Sequence, residues 1–284
     1  MKPHFLVVGA AKAGTTWLHY CLDAHPKIFV PKAKELHFFS YPYVYQRGKD
    51  WYESFFHSAS SESVLGEVCP SYISFPNVAE RIYKYNPNMK LIFVLRDPVQ
   101  RAYSHYCMGM KIGRVSLDIN QNLSNDSPYV QLGLYYQQIT RFKKVFPSEQ
   151  IKIIIFDDIK VCPHQTLTEI YTFLQVNKDF VPTQTVLNPK NVSKSLPKYS
   201  KIYKLAKGIE QKLSNNSKVF KEVFTEFRLK GYLDIFHQIN CGNKYPQLSK
   251  EKKKSLAEFY SQDVDNLSQL LNKDLQFWLK PYLQ

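Results

Sequence analysis

The stretch Phe5-Leu6-Val7-Val8-Gly9-Ala10-Ala11-Lys12-Ala13-Gly14-Thr15-Thr16-Trp17-Leu18 constrains this chain more than any other. An apolar, β-branched run stops at a glycine. A turn of small residues with one lysine follows, and Gly-Thr-Thr then opens an amphipathic segment over 15–22. That order predicts a buried strand, a phosphate-binding loop and a helix N-terminus. Loop N–H groups and the positive end of the helix dipole would face an anion, and the lysine adds a full charge. The plainer alternative is a strand–helix turn with a solvated lysine. A Walker A motif requires G-x-x-x-x-G-K-[ST]. Gly9 and Gly14 have that separation, but Thr15 stands in the lysine's place and Lys12 lies inside the loop. Nor is the pattern G-x-G-x-x-G, which argues against a dinucleotide site.

Two more apolar runs, 89–95 and 151–156, read as buried strands of a parallel sheet. Shorter strands are expected at 28–30 and 64–68. Helices are expected over 76–86, from Pro98 with Asp97 as its cap, over 129–146, and over 163–174. Residues 40–63 form a loop or short helix anchored by Trp51 and Tyr52, 113–128 a polar loop, and 183–197 a basic loop. Lys-rich helices follow over 198–229 and 249–272. The fold class is therefore α/β, a central parallel sheet flanked by helices, with a phosphate-binding loop after the first strand and a helical C-terminal region.

The charge balance is strongly basic, 38 Lys and Arg against 24 Asp and Glu, a net +14. Such a chain keeps polyanionic company: nucleic acid, a multiply phosphorylated cofactor, or a sulfated or acidic acceptor. Part of the excess is the solvated run at 250–254. No apolar run is long enough to cross a bilayer, and the short run after Met-Lys-Pro-His lacks a signal-peptide core and cleavage site, so a cytoplasmic protein is expected. The five cysteines (Cys21, Cys69, Cys107, Cys162, Cys241) show no C-x-x-C spacing. Zinc and a disulfide framework are disfavoured, and packing as small apolar residues is the expected role.

Two clusters carry candidate chemistry. Lys32-Ala33-Lys34-Glu35-Leu36-His37-Phe38-Phe39 sets lysines, a carboxylate and an imidazole beside aromatics. Glu35 there could act as a general base, or it could be an exposed Glu–Lys pair at a helix start. Arg96 ends a central strand, where open α/β sheets bind ligands. With Ser104 two helical turns on, it could clamp a phosphate. The alternative is an Arg96–Asp97 surface pair and a core-facing Ser104.

With these residues assembled, the chain resembles the sulfotransferases that use 3′-phosphoadenosine 5′-phosphosulfate (PAPS), nearest the branch of bacterial enzymes and heparan sulfate sulfotransferase domains. The similarity covers about the first 200 residues. Gly9-Ala10-Ala11-Lys12-Ala13-Gly14-Thr15-Thr16 resembles that family's 5′-phosphosulfate loop. Lys34-Glu35-Leu36-His37-Phe38-Phe39 is similar to its K-E-x-H-F-F motif, and Leu95-Arg96-Asp97-Pro98-Val99-Gln100-Arg101-Ala102-Tyr103-Ser104 to its 3′-phosphate motif. Gly133-Leu134-Tyr135 and Asn191-Val192-Ser193-Lys194 are weaker echoes.

The resemblance implies that Lys12 offsets charge building on the leaving phosphate, and that Lys12, Ala13, Gly14, Thr15, Thr16 and Trp17 hold the 5′ end. Arg96, Ser104, Tyr135 and Lys194 would hold the rest of the nucleotide. Glu35 would be the base, with His37 its runner-up or orienting partner, and no metal is required. Residues 1–197 would then be a cofactor-binding core and 198–284 a helical extension shaping the acceptor site, within one domain. In the glycan enzymes' E-K-T-P-x-Y stretch this chain has Glu67-Val68-Cys69-Pro70-Ser71-Tyr72, with Val68 in place of a second lysine. That departure and the absence of a leader favour a bacterial-type enzyme with a small-molecule acceptor, a hydroxyl or amine of a specialised metabolite, over a glycan enzyme. No nucleic-acid or membrane partner is expected, and the oligomeric state is left open. The competing classes are a kinase-like nucleotide binder, which lacks a Walker lysine and a clear Walker B acid, and a nucleic-acid binder supported by charge alone.

Overall fold

The computed structural model describes residues 1–61, 63–188, 195–197 and 241–284. Five strands form one parallel sheet in the order β2-β3-β1-β4-β5, where β1 is Phe5–Gly9, β2 Ile28–Phe29, β3 Val64–Val68, β4 Lys90–Leu95 and β5 Ile151–Ile155. β1 is central and every residue of it is buried. Phe5 lies opposite Gly66 on one side and Lys90 on the other. Burial on both faces is why β1 and β4 are unbroken apolar runs rather than alternating ones. From β1 the chain runs to the edge strand β2 and returns to β3 beside β1, then crosses to β4 on the far side. That reversal opens a crevice at the carboxyl ends of β1 and β4, where ligands of open α/β sheets sit.

Helices cover the sheet. α1 (Thr15–Asp23) follows the first loop, and the short α2 (Pro42–Tyr45) and α3 (Gly48–Glu53) carry the aromatic segment. α4 (Val78–Tyr85) precedes β4, and α5 (Pro98–Lys111) follows it. As expected, Asp97 caps α5, its Oδ1 accepting from the N–H groups of Val99 (2.8 Å) and Gln100 (3.2 Å). Pro98 sits at the first helical position, where a missing N–H costs nothing. α6 (Ile119–Asn122) interrupts the polar loop, and α9 (Phe156–Val161) and α10 (Pro163–Leu174) follow β5.

The single helix expected over 129–146 is two, α7 (Pro128–Gln131) and α8 (Tyr135–Lys143). The break falls at Gly133, against which Tyr260 packs so closely that a Cβ would lie 2.9 Å from its ring. Asp263 then caps α8 from a distant helix, accepting from the Tyr135 N–H (2.8 Å) and the Tyr136 N–H (3.2 Å). Periodicity could not reveal a cap that arrives 128 residues later.

The described parts of the basic loop carry regular elements that were not expected. They contain α11 (Gln184–Leu187) and β6 (Ser195–Pro197), and β6 pairs antiparallel with β7 (Cys241–Lys244). The helix expected over 198–229 lies outside the described residues. The one expected over 249–272 is α12 (Lys250–Leu271), followed by α13 (Lys280–Leu283). These elements close on the core: Trp278 donates to Asp157 (3.1 Å) and Tyr282 to Asp97 (2.6 Å). Cys21, Cys69 and Cys107 pack in the interior, but Cys162 is exposed at the start of α10, which corrects its expected packing role.

Candidate active site

The first loop leaves β1 and enters α1 through Gly14, whose φ of 90° lies in the left-handed region. A Cβ there would also meet the Phe156 ring at 2.8 Å, so the position demands glycine twice over. With glycine at the cap, no side chain closes the helix N-terminus. The N–H groups of its first turn lack intrahelical partners, the arrangement that favours anions at helix N-termini. Thr15 and Ala13 are buried in the turn and Thr16 is half-buried. Trp17 extends the other way, its indole N–H donating to the Leu187 carbonyl at 2.9 Å.

Cations gather at this N-terminus. Lys12, itself left-handed at φ 72°, reaches across to α5, where its Nζ is 3.6 Å from Met108 Sδ. Arg96 directly follows β4 and donates from Nη1 to the Lys12 carbonyl (3.0 Å) and from Nη2 to Gln100 Oε1 (3.2 Å). It lies over the Phe156 ring at 4.9 Å, and its buried Nε has no hydrogen-bond partner among the described residues. It does not bond Asp97, whose carboxylate serves its own helix and Tyr282. Lys34 donates to Thr16 Oγ1 at 2.9 Å. Ser104 is half-buried on α5, one turn before Met108 and therefore on the side facing Lys12.

The electrostatics are one-sided. Burial, then Arg96, Lys34 and Lys111, hold the Lys12 ammonium below its usual pKa, with the Cys107 thiol pulling the other way. His105, beside Ser104, is pushed down to about 3 by burial and by Arg101, Lys12 and Arg114. A half-buried group of cations in which the largest influences on Lys12 are burial and like charge is the kind of environment an anion completes.

The Lys34–Phe39 motif joins this cluster through Lys34. Glu35 Oε1 pairs with Lys34 Nζ at 3.3 Å, and Oε2 lies 3.9 Å from His37 Nε2. This is the expected Glu–Lys pair, yet it sits on a loop and not at a helix start. Glu35 (φ 64°) and His37 (φ 56°) both occupy the left-handed region, which non-glycine residues adopt only when their surroundings insist. His37 Nδ1 is 3.1 Å from Ser71 Oγ. Burial lowers the His37 pKa and Glu35 raises it, with burial the larger effect, so the imidazole is neutral near pH 7.

Arg96 is thus in contact with Lys12, while Thr16, Lys34, Glu35 and His37 form a second series of contacts; the charges of Lys12 and Lys34 repel one another, and Ser104 lies on the adjoining helix face. Tyr135 is fully buried behind Arg96, its hydroxyl donating to the Arg96 carbonyl at 2.9 Å. Lys194 lies outside the described residues. Among the described residues no group of three or more His, Cys, Asp or Glu is placed to hold a metal ion.

One residue went unassigned at the sequence level. Glu67, inside β3, is 1% exposed and accepts from the Leu36 N–H (2.9 Å), the Tyr52 hydroxyl (2.7 Å) and the Tyr72 hydroxyl (3.0 Å). The available signal was a glutamate within an apolar strand, Val64-Leu65-Gly66-Glu67-Val68. Burial raises its pKa from 4.5 to about 7 against the pull of those three donors. A carboxyl with a raised folded-state pKa binds its proton more tightly folded than unfolded. Its contribution is therefore complete below pH 4.5 and is lost as pH rises through about 7. At ~1.4 kcal/mol per pH unit the loss is about 3 kcal/mol. Chemical denaturation at pH 5 and pH 7.5 should show a larger drop in stability for the wild type than for Glu67→Gln. Equal drops would refute the shift.

The fold and this site define a sulfotransferase-class domain. The family model described as "Sulfotransferase domain" matches residues 2–267, and the chain belongs to that family. The crystal structure of a sulfotransferase from Alicyclobacillus acidocaldarius aligns with a TM-score of 0.73 at 26% identity, covering 98% of this chain and 99% of that one. The membrane-associated sulfotransferase kil1 of Dictyostelium discoideum is 43% identical over 107 residues, 37% of this chain and 22% of that protein. Human heparan sulfate glucosamine 3-O-sulfotransferase 5 is 28% identical over 186 residues, 61% of this chain and 54% of that protein. The chain thus matches from 22% to 54% of the length of these curated relatives. No helix among the described residues is long and apolar enough to cross a membrane.

Proposed function

We propose that this chain is a PAPS-dependent sulfotransferase that modifies a hydroxyl or amine of a small-molecule acceptor. The observation that carries the reading is the cation cluster of Lys12, Arg96 and Lys34 around the uncapped N-terminus of α1, with the Glu35 carboxylate joined to it through Lys34. The fit to a phosphosulfate nucleotide rests on two features: Lys12 is surrounded by like charge, and the buried Arg96 Nε is unpartnered.

PAPS, when bound, supplies the sulfonate and the phosphate from which it departs. The first-turn N–H groups of α1 and the Thr16 hydroxyl bind the 5′ end. Arg96 and Ser104 bind the 3′-phosphate, Lys194 assists, and Tyr135 holds the Arg96 backbone from behind. Lys12 brings its charge to the oxygen that gains negative charge as the acceptor attacks, a role worth most in a water-poor site. Glu35 takes the acceptor's proton at Oε2, since Oε1 is engaged by Lys34. His37, with Nδ1 facing Ser71, lies beside that oxygen as its neighbour at 3.9 Å and is the alternative base. Sulfuryl transfer, like phosphoryl transfer, needs in-line positioning and charge stabilisation more than covalent work.

Residues 1–197 form the cofactor-binding part in this reading and 198–284 contribute to the acceptor site; a cytoplasmic, bacterial-type, metal-independent enzyme belongs to it as well. A glycan acceptor is the second reading, favoured by the match to the heparan sulfate enzyme. The test is a screen of alcohols, amines and glycan oligosaccharides with labelled PAPS, reading product masses for an added sulfonate. Product from none of them would refute the proposal. Arg96→Ala should weaken binding of the product nucleotide 3′-phosphoadenosine 5′-phosphate (PAP) by about 10- to 100-fold, the value of a charge-assisted contact. Calorimetry checks this, and an unchanged Kd would remove Arg96 from the site.

A further inference from the structure

We propose that Glu67 is a positioning residue for the reaction: from inside β3 it anchors the left-handed turn that presents Glu35 and His37. The inference rests on the sulfotransferase reading above and deepens it. Two non-glycine residues with positive φ, Glu35 and His37, flank a single residue, Leu36. The Leu36 N–H is bound by the Glu67 carboxylate at 2.9 Å, so the donor sits between the two unfavourable conformations. The Glu35 N–H donates to the Val68 carbonyl (3.2 Å), the residue after Glu67, which lays the turn along the end of β3.

The anchor is itself held. Tyr52 of α3 donates to Glu67 Oε2 at 2.7 Å. Tyr72 donates to the same oxygen at 3.0 Å while its hydroxyl accepts from the Phe39 N–H at 3.4 Å. Glu67 and Tyr72 therefore bind amides on both sides of His37, at Leu36 and Phe39. Tyr72 follows Ser71, the partner of His37 Nδ1. One buried knot thus fixes the backbone before and after His37 and the ring itself. Glu67 is sealed from solvent beneath this turn and cannot touch an acceptor. The groups facing it are Tyr52, Tyr72, Cys69 and Glu35, and each hydrogen bond it makes is one it accepts. A buried acceptor shared by the amide inside a strained turn and two tyrosines that hold it in place is suited to positioning, as supporting shells at reactive sites are.

The experiment compares Glu67→Gln, Glu67→Ala and Tyr72→Phe in the full chain by amide hydrogen exchange over 34–39, by PAP affinity, and by kcat and KM. Glutamine keeps an acceptor for the Leu36 N–H and should stay near wild type in exchange and kcat. Alanine should speed exchange over 34–39 by at least about tenfold and cut kcat by about 100-fold, the cost of an ångström-scale misplacement. PAP affinity should stay within about threefold, because the α1 N-terminus and Arg96 are untouched. If the alanine variant does not fold, Tyr72→Phe must show the same two changes at smaller size, and a Tyr72→Phe enzyme unchanged in both overturns the proposal. So do unchanged protection over 34–39 in Glu67→Ala, fast exchange there with unchanged kcat, or PAP affinity that falls in step with kcat. A wild-type chain that binds no PAP and transfers no sulfonate overturns the functional reading instead, while the exchange comparison still reports on the anchor.

Discussion

Replacing Lys12 by alanine should lower kcat by about 100- to 1,000-fold, the effect of removing one preorganised donor from a site of developing charge. Binding of PAP should weaken much less. Lys12 lies 3.6 Å from Met108 Sδ, held below its usual pKa by burial and by Arg96, Lys34 and Lys111. An ammonium kept in such company gains most when negative charge appears beside it, and that charge is greatest at the transition state. In the proposed site the α1 N-terminus, Thr16 and Arg96 would still hold a ground-state nucleotide. Steady-state kinetics with PAP calorimetry separates the two effects. An unchanged kcat, or a loss confined to nucleotide affinity, would refute the role. Lys12→Arg should recover little, because a planar guanidinium does not place its charge where the ammonium stood.

Glu35→Gln should abolish detectable transfer, a loss of about 100- to 10,000-fold for a missing general base, with PAP affinity near normal. The amide preserves the shape of the side chain and the contact from Lys34 but cannot take a proton. Turnover retained in Glu35→Gln would transfer the role to His37, which is neutral near pH 7 and faces the same oxygen through Nε2 at 3.9 Å.

How far these residues could be read without coordinates depends on how local their determinants are. The strand–loop–helix of 5–23 is written in adjacent residues: a buried run, a glycine at the helix start and hydroxyls in the first turn. Sequence order was therefore enough to find it. The Asp97-Pro98 cap is equally local. The break between α7 and α8 was illegible because its causes, Tyr260 against Gly133 and Asp263 at the α8 N-terminus, come from α12. The β6–β7 ribbon escaped for the same reason, its partners being more than forty residues apart.

In the site, residue types were visible and their connections were not. Lys34 and Glu35 read equally well as a surface pair, and nothing local says that Lys34 also bonds Thr16, 18 residues earlier. Positive φ at Glu35 and His37 has no sequence mark, since neither is glycine or asparagine. Glu67 was written plainly as a charge in an apolar strand. Its three donors, Leu36, Tyr52 and Tyr72, come from three separate segments. Tyr135 shows the reverse case: its place in the motif is legible, while its burial behind the Arg96 carbonyl emerges only from the packing.

The most direct measurement is thermal stabilisation of the purified chain by PAP compared with ATP plus magnesium, at equal concentrations. A site built from Lys12, the α1 N-terminus, Arg96 and Ser104 for a 3′-phosphorylated nucleotide should give a rise in Tm with PAP, growing with concentration as mass action requires, and little or none with ATP and magnesium. Selective stabilisation by ATP and magnesium, with no response to PAP, would contradict assignment of this cation cluster to sulfonate transfer.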